Sequence, residues 1–181
     1  MKAIKKRYQH KLPGKTNREL IVSAIGIEQI DEAMKFQAEI INIIGKKDLF
    51  TPLTKEEFLK PIVGLDNVYF LKDCNEIAGM FVATCDEPEL LEGYELHTQN
   101  VILIDSIMVA KKYRGKGLQR QILDFLKERG LILKKDGLVA TVHPDNFYSL
   151  RNFLKCGYDI INTIPNIHGG ERNIVFYELD K

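Results

Sequence analysis

Apolar positions change period several times along the chain, and each change marks an element. Leu20 to Ile25 is a short strand-like run, and Glu28 to Ile44 then carries Ile30, Ala33, Met34, Ala38, Ile41 and Ile44 at helical spacing. Thr54, with Glu57 three residues on, has the form of a capping box and predicts a second short helix reaching about Leu59. Two β-prone runs, 67–71 and 77–84, flank Lys72-Asp73-Cys74-Asn75-Glu76 and predict a hairpin. The stretch 86–100 is an acidic, irregular connection. The run Val101 to Val109 is apolar on both faces and belongs in the middle of a sheet, with Asp105 as the one charge inside it. Leu118, Ile122, Phe125 and Leu126 stripe a helix that should end near Lys134, because Asp136-Gly137 signals a turn. A strand over 138–142, a helix over 145–156 stopped by Gly157, and strands over 158–164 and 173–179 complete the series.

Composition narrows the picture. At 181 residues and 45% hydrophobic content the chain has enough interior to fold without metals or cross-links. Residues 1–18, basic and holding Pro13-Gly14, read as a loose arm, and 19–181 as one domain. Lys and Arg number 26 against 25 Asp and Glu, a net charge of +1, which argues against a protein that coats nucleic acid or an acidic membrane. Cys74, Cys85 and Cys156 are odd in number, scattered and not spaced for zinc, which suits reduced thiols in a cytoplasm. The basic opening has no apolar core behind it, as a signal peptide would, and no run approaches the roughly 18 apolar residues of a membrane span. Oligomeric state leaves no trace in the sequence, so a homodimer stays open.

The chemistry concentrates in Tyr113-Arg114-Gly115-Lys116-Gly117-Leu118-Gln119-Arg120, between the central apolar run and a helix. Gly115 and Gly117 lack Cβ, so the backbone there can take positive φ and let successive N–H groups converge on an anion. The first amides of the following helix have no intrahelical partner and lie at the positive end of its dipole. Arg114, Lys116 and Arg120 add mobile positive charge. A dinucleotide fingerprint fails because Arg120 stands where its third glycine belongs. A Walker A loop at Gly14-Lys15-Thr16 fails because Gln9 replaces its leading glycine and no apolar strand precedes it.

This turn resembles motif A of the GCN5-related N-acetyltransferase superfamily, whose signature is Arg or Gln, two variable residues, Gly, one variable residue, then Gly or Ala. Arg114 and Gly117 match and Gln119 departs. The order of elements, one strand, two helices, three strands, helix, strand, helix, two strands, is also the family's. His143-Pro144-Asp145-Asn146, followed by Ser149, Phe153, Gly157 and Tyr158, resembles the family's last helix and its exit. The resemblance covers nearly everything from residue 19. It implies an α/β (α+β) fold with a mixed central sheet of about seven strands flanked by four helices.

It further implies acetyl-CoA as co-substrate, no metal, and direct attack by a primary amine on the thioester. The acceptor stays open, from a small molecule to a protein or peptide amine. In the family, the pyrophosphate rests on backbone amides, here those of Gly115, Lys116, Gly117, Leu118, Gln119 and Arg120. Amides near Ile107, Met108 and Val109, exposed by a local bulge, would polarise the thioester, and Asn146 would meet the pantetheine arm. An ammonium must first lose a proton, since its pKa is about 8 to 10.4. Asp105 is placed to take it, directly or through a water, or else serves as a polar pin bonded to nearby backbone. Glu95 and His97 are secondary candidates. The tyrosine many members use as acid corresponds to Phe153. Tyr148 replaces it only if it faces the cofactor; otherwise water supplies the proton or the thiolate leaves unaided. Cys156 has no histidine placed to activate it. His168-Gly169-Gly170 is a hairpin loop or a flap over the acceptor. The same features would also suit a domain that binds acyl-CoA without turning it over.

Overall fold

The computed structural model describes residues 9–12, 20–44, 49–64, 68–85, 92–165 and 170–180. The acidic stretch 86–91 and the His168-Gly169 turn, both noted above, lie outside these. The elements are β1 (Gln9–Leu12), β2 (Leu20–Ala24), α1 (Ile30–Ile44), α2 (Lys55–Gly64), β3 (Val68–Asp73), β4 (Glu76–Cys85), β5 (Val101–Val109), α3 (Leu118–Ile132), β6 (Gly137–Val142), α4 (Phe147–Lys155), β7 (Asp159–Pro165) and β8 (Glu171–Glu178). They form one sheet in the order β1-β2-β3-β4-β5-β6-β8-β7. Every pairing is antiparallel except β5 with β6, the parallel pair that α3 connects.

Seven of these strands and all four helices follow the expected order. The eighth strand, β1, comes from the segment read as a loose arm. It lies at the sheet edge against β2, with His10 opposite Val22. Edge pairing uses backbone groups alone, so QHKL needs no apolar pattern to join. The Thr54 capping box forms as its spacing suggests: the Thr54 amide donates to Glu57 Oε2 at 2.7 Å and the Glu57 amide to Thr54 Oγ1 at 3.2 Å. Beyond it α2 runs on to Gly64 with Pro61 inside, past the expected end at Leu59. A proline costs a helix one N–H bond, and here the ring is buried along with Phe58 and Ile62.

Two faces of the sheet are covered differently. On one, Ile122, Leu123, Phe125 and Leu126 of α3 and Phe153 of α4 pack over Phe81, Ile104, Leu138 and Ala140. On the other, Ala33, Phe36, Ile40 and Phe58 of α1 and α2 cover Val68, Phe70, Met80, Val82 and Met108. A separate patch on that face, Val101, Leu103, Val139, Ile174 and Phe176, is covered by Tyr94 and Leu96. A buried side chain of this size contributes roughly 1.5–3 kcal/mol.

The start of β6 tolerates no side chain. A Cβ on Gly137 would lie 2.6 Å from the Tyr177 carbonyl oxygen and 2.5 Å from the Phe176 ring. Gly137→Ala is therefore expected to cost about 2 kcal/mol, lowering the melting temperature by roughly 4–8 °C in a thermal melt.

Candidate active site

Central to the site is an irregularity in β5. Val82 pairs with Ser106, but Ala83 pairs with Ile104, so Asp105 is the extra residue of a bulge. On its other side β5 pairs with β6 only from Val101 to Ile104. Beyond the bulge the two parallel strands part and leave a slot through the sheet. Ala110 donates its amide to the Ala78 carbonyl at 3.0 Å, a pattern an antiparallel ladder repeats at every second pair, so the Met108 amide faces β4. The amides of Ile107 and Val109 face the slot. Met108 departs here from the sequence expectation: its amide belongs to the ladder and its side chain is buried beneath α1 and α2.

After β5 the chain makes a 3-10 turn over Lys111–Tyr113 and enters the glycine segment. Tyr113 anchors that turn, its hydroxyl meeting Asp73 at 3.0 Å and Glu76 at 3.1 Å on the β3–β4 hairpin. Burial and these two carboxylates push its phenol far up, so it stays a donor. Gly115 has φ 72° and Gly117, the residue capping α3, has φ 80°. A Cβ at Gly115 would meet nothing within 4 Å, so glycine is required there for conformation rather than space. Gln121 reaches back to the Gly117 carbonyl at 3.1 Å, so the amides of Leu118, Gln119 and Arg120 precede the helical ladder. Leu118 contributes only its amide, since its side chain is in the core. Arg114 folds back, its Nε donating to the Val109 carbonyl at 3.1 Å. Lys116 rests over the Tyr113 ring, 5.2 Å from its centroid. Gly117, Arg120, Lys127 and Lys155 border a shallow basic cleft next to the turn.

Gln119 is turned away from the turn. Its side chain donates to Ser149 Oγ and accepts from Asn152 Nδ2, both at 2.9 Å, and so ties α3 to α4. Gln119→Ala is expected to remove about 1–2 kcal/mol, seen as a lower urea midpoint with an unchanged slope. Asn146 caps α4, accepting from the Ser149 amide at 3.3 Å. Tyr148 points to solvent, 90% exposed, and is not among the residues lining the cavity described below. The buried face of α4 carries Phe153, 3% exposed and edge-on to Tyr158 at 5.0 Å. Burial, with Asp124 adding to it, pushes the Cys156 thiol up, which disfavours a nucleophilic thiolate.

A cavity of about 120 Å³ occupies the slot and its mouth. Leu49, Phe50 and Thr51 wall one side, Asp105, Ser106 and Ile107 another, and Asn146, Ser149 and Phe153 close it from α4. Thr141 and His143 alternate with Ala140 and Val142, which pack toward α3, so they face away from α3. Asp105 is exposed at this mouth and accepts from Thr84 Oγ1 at 2.9 Å. Tyr94 is close by: burial and then the Asp105 charge push its phenol up, opposed by a hydrogen bond with Thr141. His143 Nδ1 accepts from the Asp145 amide at 3.0 Å, which leaves Nε2 to carry the ring proton of the neutral form. Ser106 is buried, and its hydroxyl has no hydrogen-bond partner among the described residues. Arg172, 8% exposed, completes the lining.

Glu95 and His97 are elsewhere. Glu95 accepts from Asn162 at 3.2 Å, and His97 lies 3.9 Å from Glu178, both at the surface. Sequence reasoning missed Thr84, Tyr94, Ser106, Thr141 and Arg172. Alternation within β6 marks Thr141, but only tertiary packing brings Tyr94 and Arg172 to it. Among the described residues no helix is long and apolar enough to cross a membrane, and no cluster of three His, Cys, Asp or Glu could hold a metal.

Comparison with known proteins agrees with this fold. A family model described as the acetyltransferase (GNAT) family matches residues 30–158. None of the curated proteins matches the chain. Among solved structures, a GNAT-family acetyltransferase from Listeria monocytogenes shares 14% identity over 94% of this chain and 100% of its own, with a TM-score of 0.73. The polyamine N-acetyltransferase of Drosophila melanogaster shares 16% over 88% and 100%, TM-score 0.70. A chain of the NatC complex bound to Gag peptide and CoA shares 13% over 89% and 99%, TM-score 0.70.

Proposed function

The chain belongs to the GNAT acetyltransferase family, and from that premise we propose that it transfers an acetyl group from acetyl-CoA to a primary amine by direct attack in a ternary complex. The observation that carries this reading is the bulge at Asp105, which opens the slot and sets a carboxylate at its mouth.

The residues present fit the carrier. Amides from Gly115 to Arg120 offer a diphosphate converging donors, and Arg114, Lys116 and Arg120 offset its charge. Asn146 and Ser149 line the slot, where they would meet the arm behind the diphosphate. Acetyl-CoA supplies an activated acyl group with a thiolate as leaving group. Ile107 and Val109 direct amides at the slot, where they hydrogen-bond the acyl oxygen as it gains charge. Asp105, exposed at the mouth and oriented by Thr84, takes a proton from the incoming ammonium, directly or through a water. Nitrogen would then bond the acyl carbon as the carbon–sulfur bond breaks, and the second proton on nitrogen would pass to water as the amide forms. Phe153 keeps the inner face of α4 dry and donates nothing, so the thiolate leaves unaided or takes its proton from water. The acceptor is a small-molecule or peptide amine entering from the Phe50 side.

The test combines calorimetry with coenzyme A and thiol release from acetyl-CoA against a panel of amines. Binding with amine-dependent release is the expected result. Binding without release above the solvent rate would leave only a carrier-binding domain, and no heat of binding would overturn both readings.

A further inference from the structure

Ser106 has no part in the chemistry just described, yet it lines the same cavity beside Asp105. The bulge explains how. Cross-strand partners share a face, and Ser106 pairs with Val82, which is buried beneath α1 and α2. Ser106 therefore projects from that face, as does Met108 two residues on. Asp105 bonds Thr84, which stands two residues from Val82 on β4, so its carboxylate lies on the same face. Consecutive strand residues normally point to opposite faces, and only the extra residue lets this pair stand side by side. A carboxylate and a hydroxyl thus look from one side of the sheet into a space that Phe50 also walls. Ser106 is 7% exposed, and its hydroxyl has no hydrogen-bond partner among the described residues. An unbonded buried hydroxyl costs a protein stability, and native interiors rarely keep one. The group is neutral, so what satisfies it is a hydrogen bond and not a counter-charge.

Resting on the acetyl-transfer reading, we propose that Ser106 holds the acceptor nitrogen and is the residue that confines the reaction to primary amines. The hydrogens on that nitrogen are accounted for one by one. A primary ammonium brings three: Asp105 takes one, water receives a second as the amide forms, and the third stays on the product. Ser106 Oγ accepts from that third N–H throughout, which leaves the lone pair free to turn toward the acyl carbon. In a secondary amine a methyl or larger group stands where the third hydrogen would be. Set against Ser106, it strands the buried hydroxyl without a partner, and the amine is rejected.

Matched acceptors test this in thiol-release assays at saturating acetyl-CoA. Each primary amine that the protein uses is set beside its N-methyl counterpart, as glycine with sarcosine, phenethylamine with N-methylphenethylamine, or a peptide opening on alanine with one opening on N-methylalanine. The wild-type protein is expected to favour the primary member by about tenfold or more in kcat/KM. In Ser106→Ala the primary amine should lose about tenfold while its N-methyl counterpart loses nothing, because the alanine side chain has no bond to miss. Intrinsic nucleophilicity is common to both proteins, so it cancels when their ratios are compared. Stability gives an independent reading: removing a bonded hydroxyl lowers the melting temperature, whereas removing an unbonded one should hold or raise it. Coenzyme A calorimetry on Ser106→Ala should match the wild type. A ratio unchanged in Ser106→Ala, weaker coenzyme A binding, or a melting temperature several degrees lower would overturn the proposal while sparing acetyl transfer. Release from no amine at all would overturn acetyl transfer and this inference with it.

Discussion

Gly117→Val is expected to weaken coenzyme A binding by roughly a hundredfold, about 2.7 kcal/mol, with only a small loss of stability. At φ 80° Gly117 stands in the left-handed region, where a β-branched residue is strained by about 1–2 kcal/mol. A Cβ there would meet the Arg120 guanidinium at 3.3 Å, the movable end of a flexible side chain, so crowding is minor. The turn relieves the strain by swinging to negative φ. That rotates the amides on either side of Gly117 out of convergence, and a diphosphate that needs several of them at once loses most of its hold. The core does not depend on this turn, so the melting temperature should fall only a few degrees. Titration calorimetry reads the affinity directly. Wild-type affinity in the variant would move the diphosphate away from this turn.

Asp105→Asn is expected to lower kcat by about 10²–10⁴-fold at neutral pH, the range ascribed to a positioned acid–base group. Asparagine keeps the shape and an oxygen for the Thr84 hydroxyl, so the bulge and the fold survive. What disappears is the acceptor proposed for the ammonium proton. The variant can use only amine already neutral in solution, a fraction that rises tenfold per pH unit up to the amine's own pKa, about 8 to 10.4. Its rate should therefore climb with pH where the wild-type rate has levelled, and the two should converge in alkali. A uniform decrease at every pH would make Asp105 a positioning group.

Much of the architecture is legible in the apolar periods, for reasons the structure makes plain. The stripe Leu118, Ile122, Phe125 and Leu126 is buried as its spacing demands, and the two-faced run of β5 is indeed central. The glycine turn is legible because positive φ restricts the residue type. Elements held by backbone alone are not: β1 has no apolar signature, and the passage of α2 through Pro61 depends on burial of that ring. Side-chain direction is harder still. On α4 one position separates buried Phe153 from half-exposed Asn152, and nothing local marks Tyr148 as the face turned outward. The cavity lining draws on β5, β6 and β8, and its Asp105 and Thr141 bond Thr84 of β4 and Tyr94 of the 92–100 connection, so these partners come together only once the sheet is built.

The extra residue in β5 also acts as a phase shift. Before it, even-numbered Ile102 and Ile104 look toward α3; after it, odd-numbered Ile107 and Val109 do. Odd Leu103 and even Met108 look the opposite way. One inserted position thus exchanges inside for outside along a strand without any change in its composition. Deleting Asp105, unlike substituting it, would bring the downstream half back into step. The continuous ladder with β6 that follows would zip the slot shut, leaving a sound sheet with no passage through it.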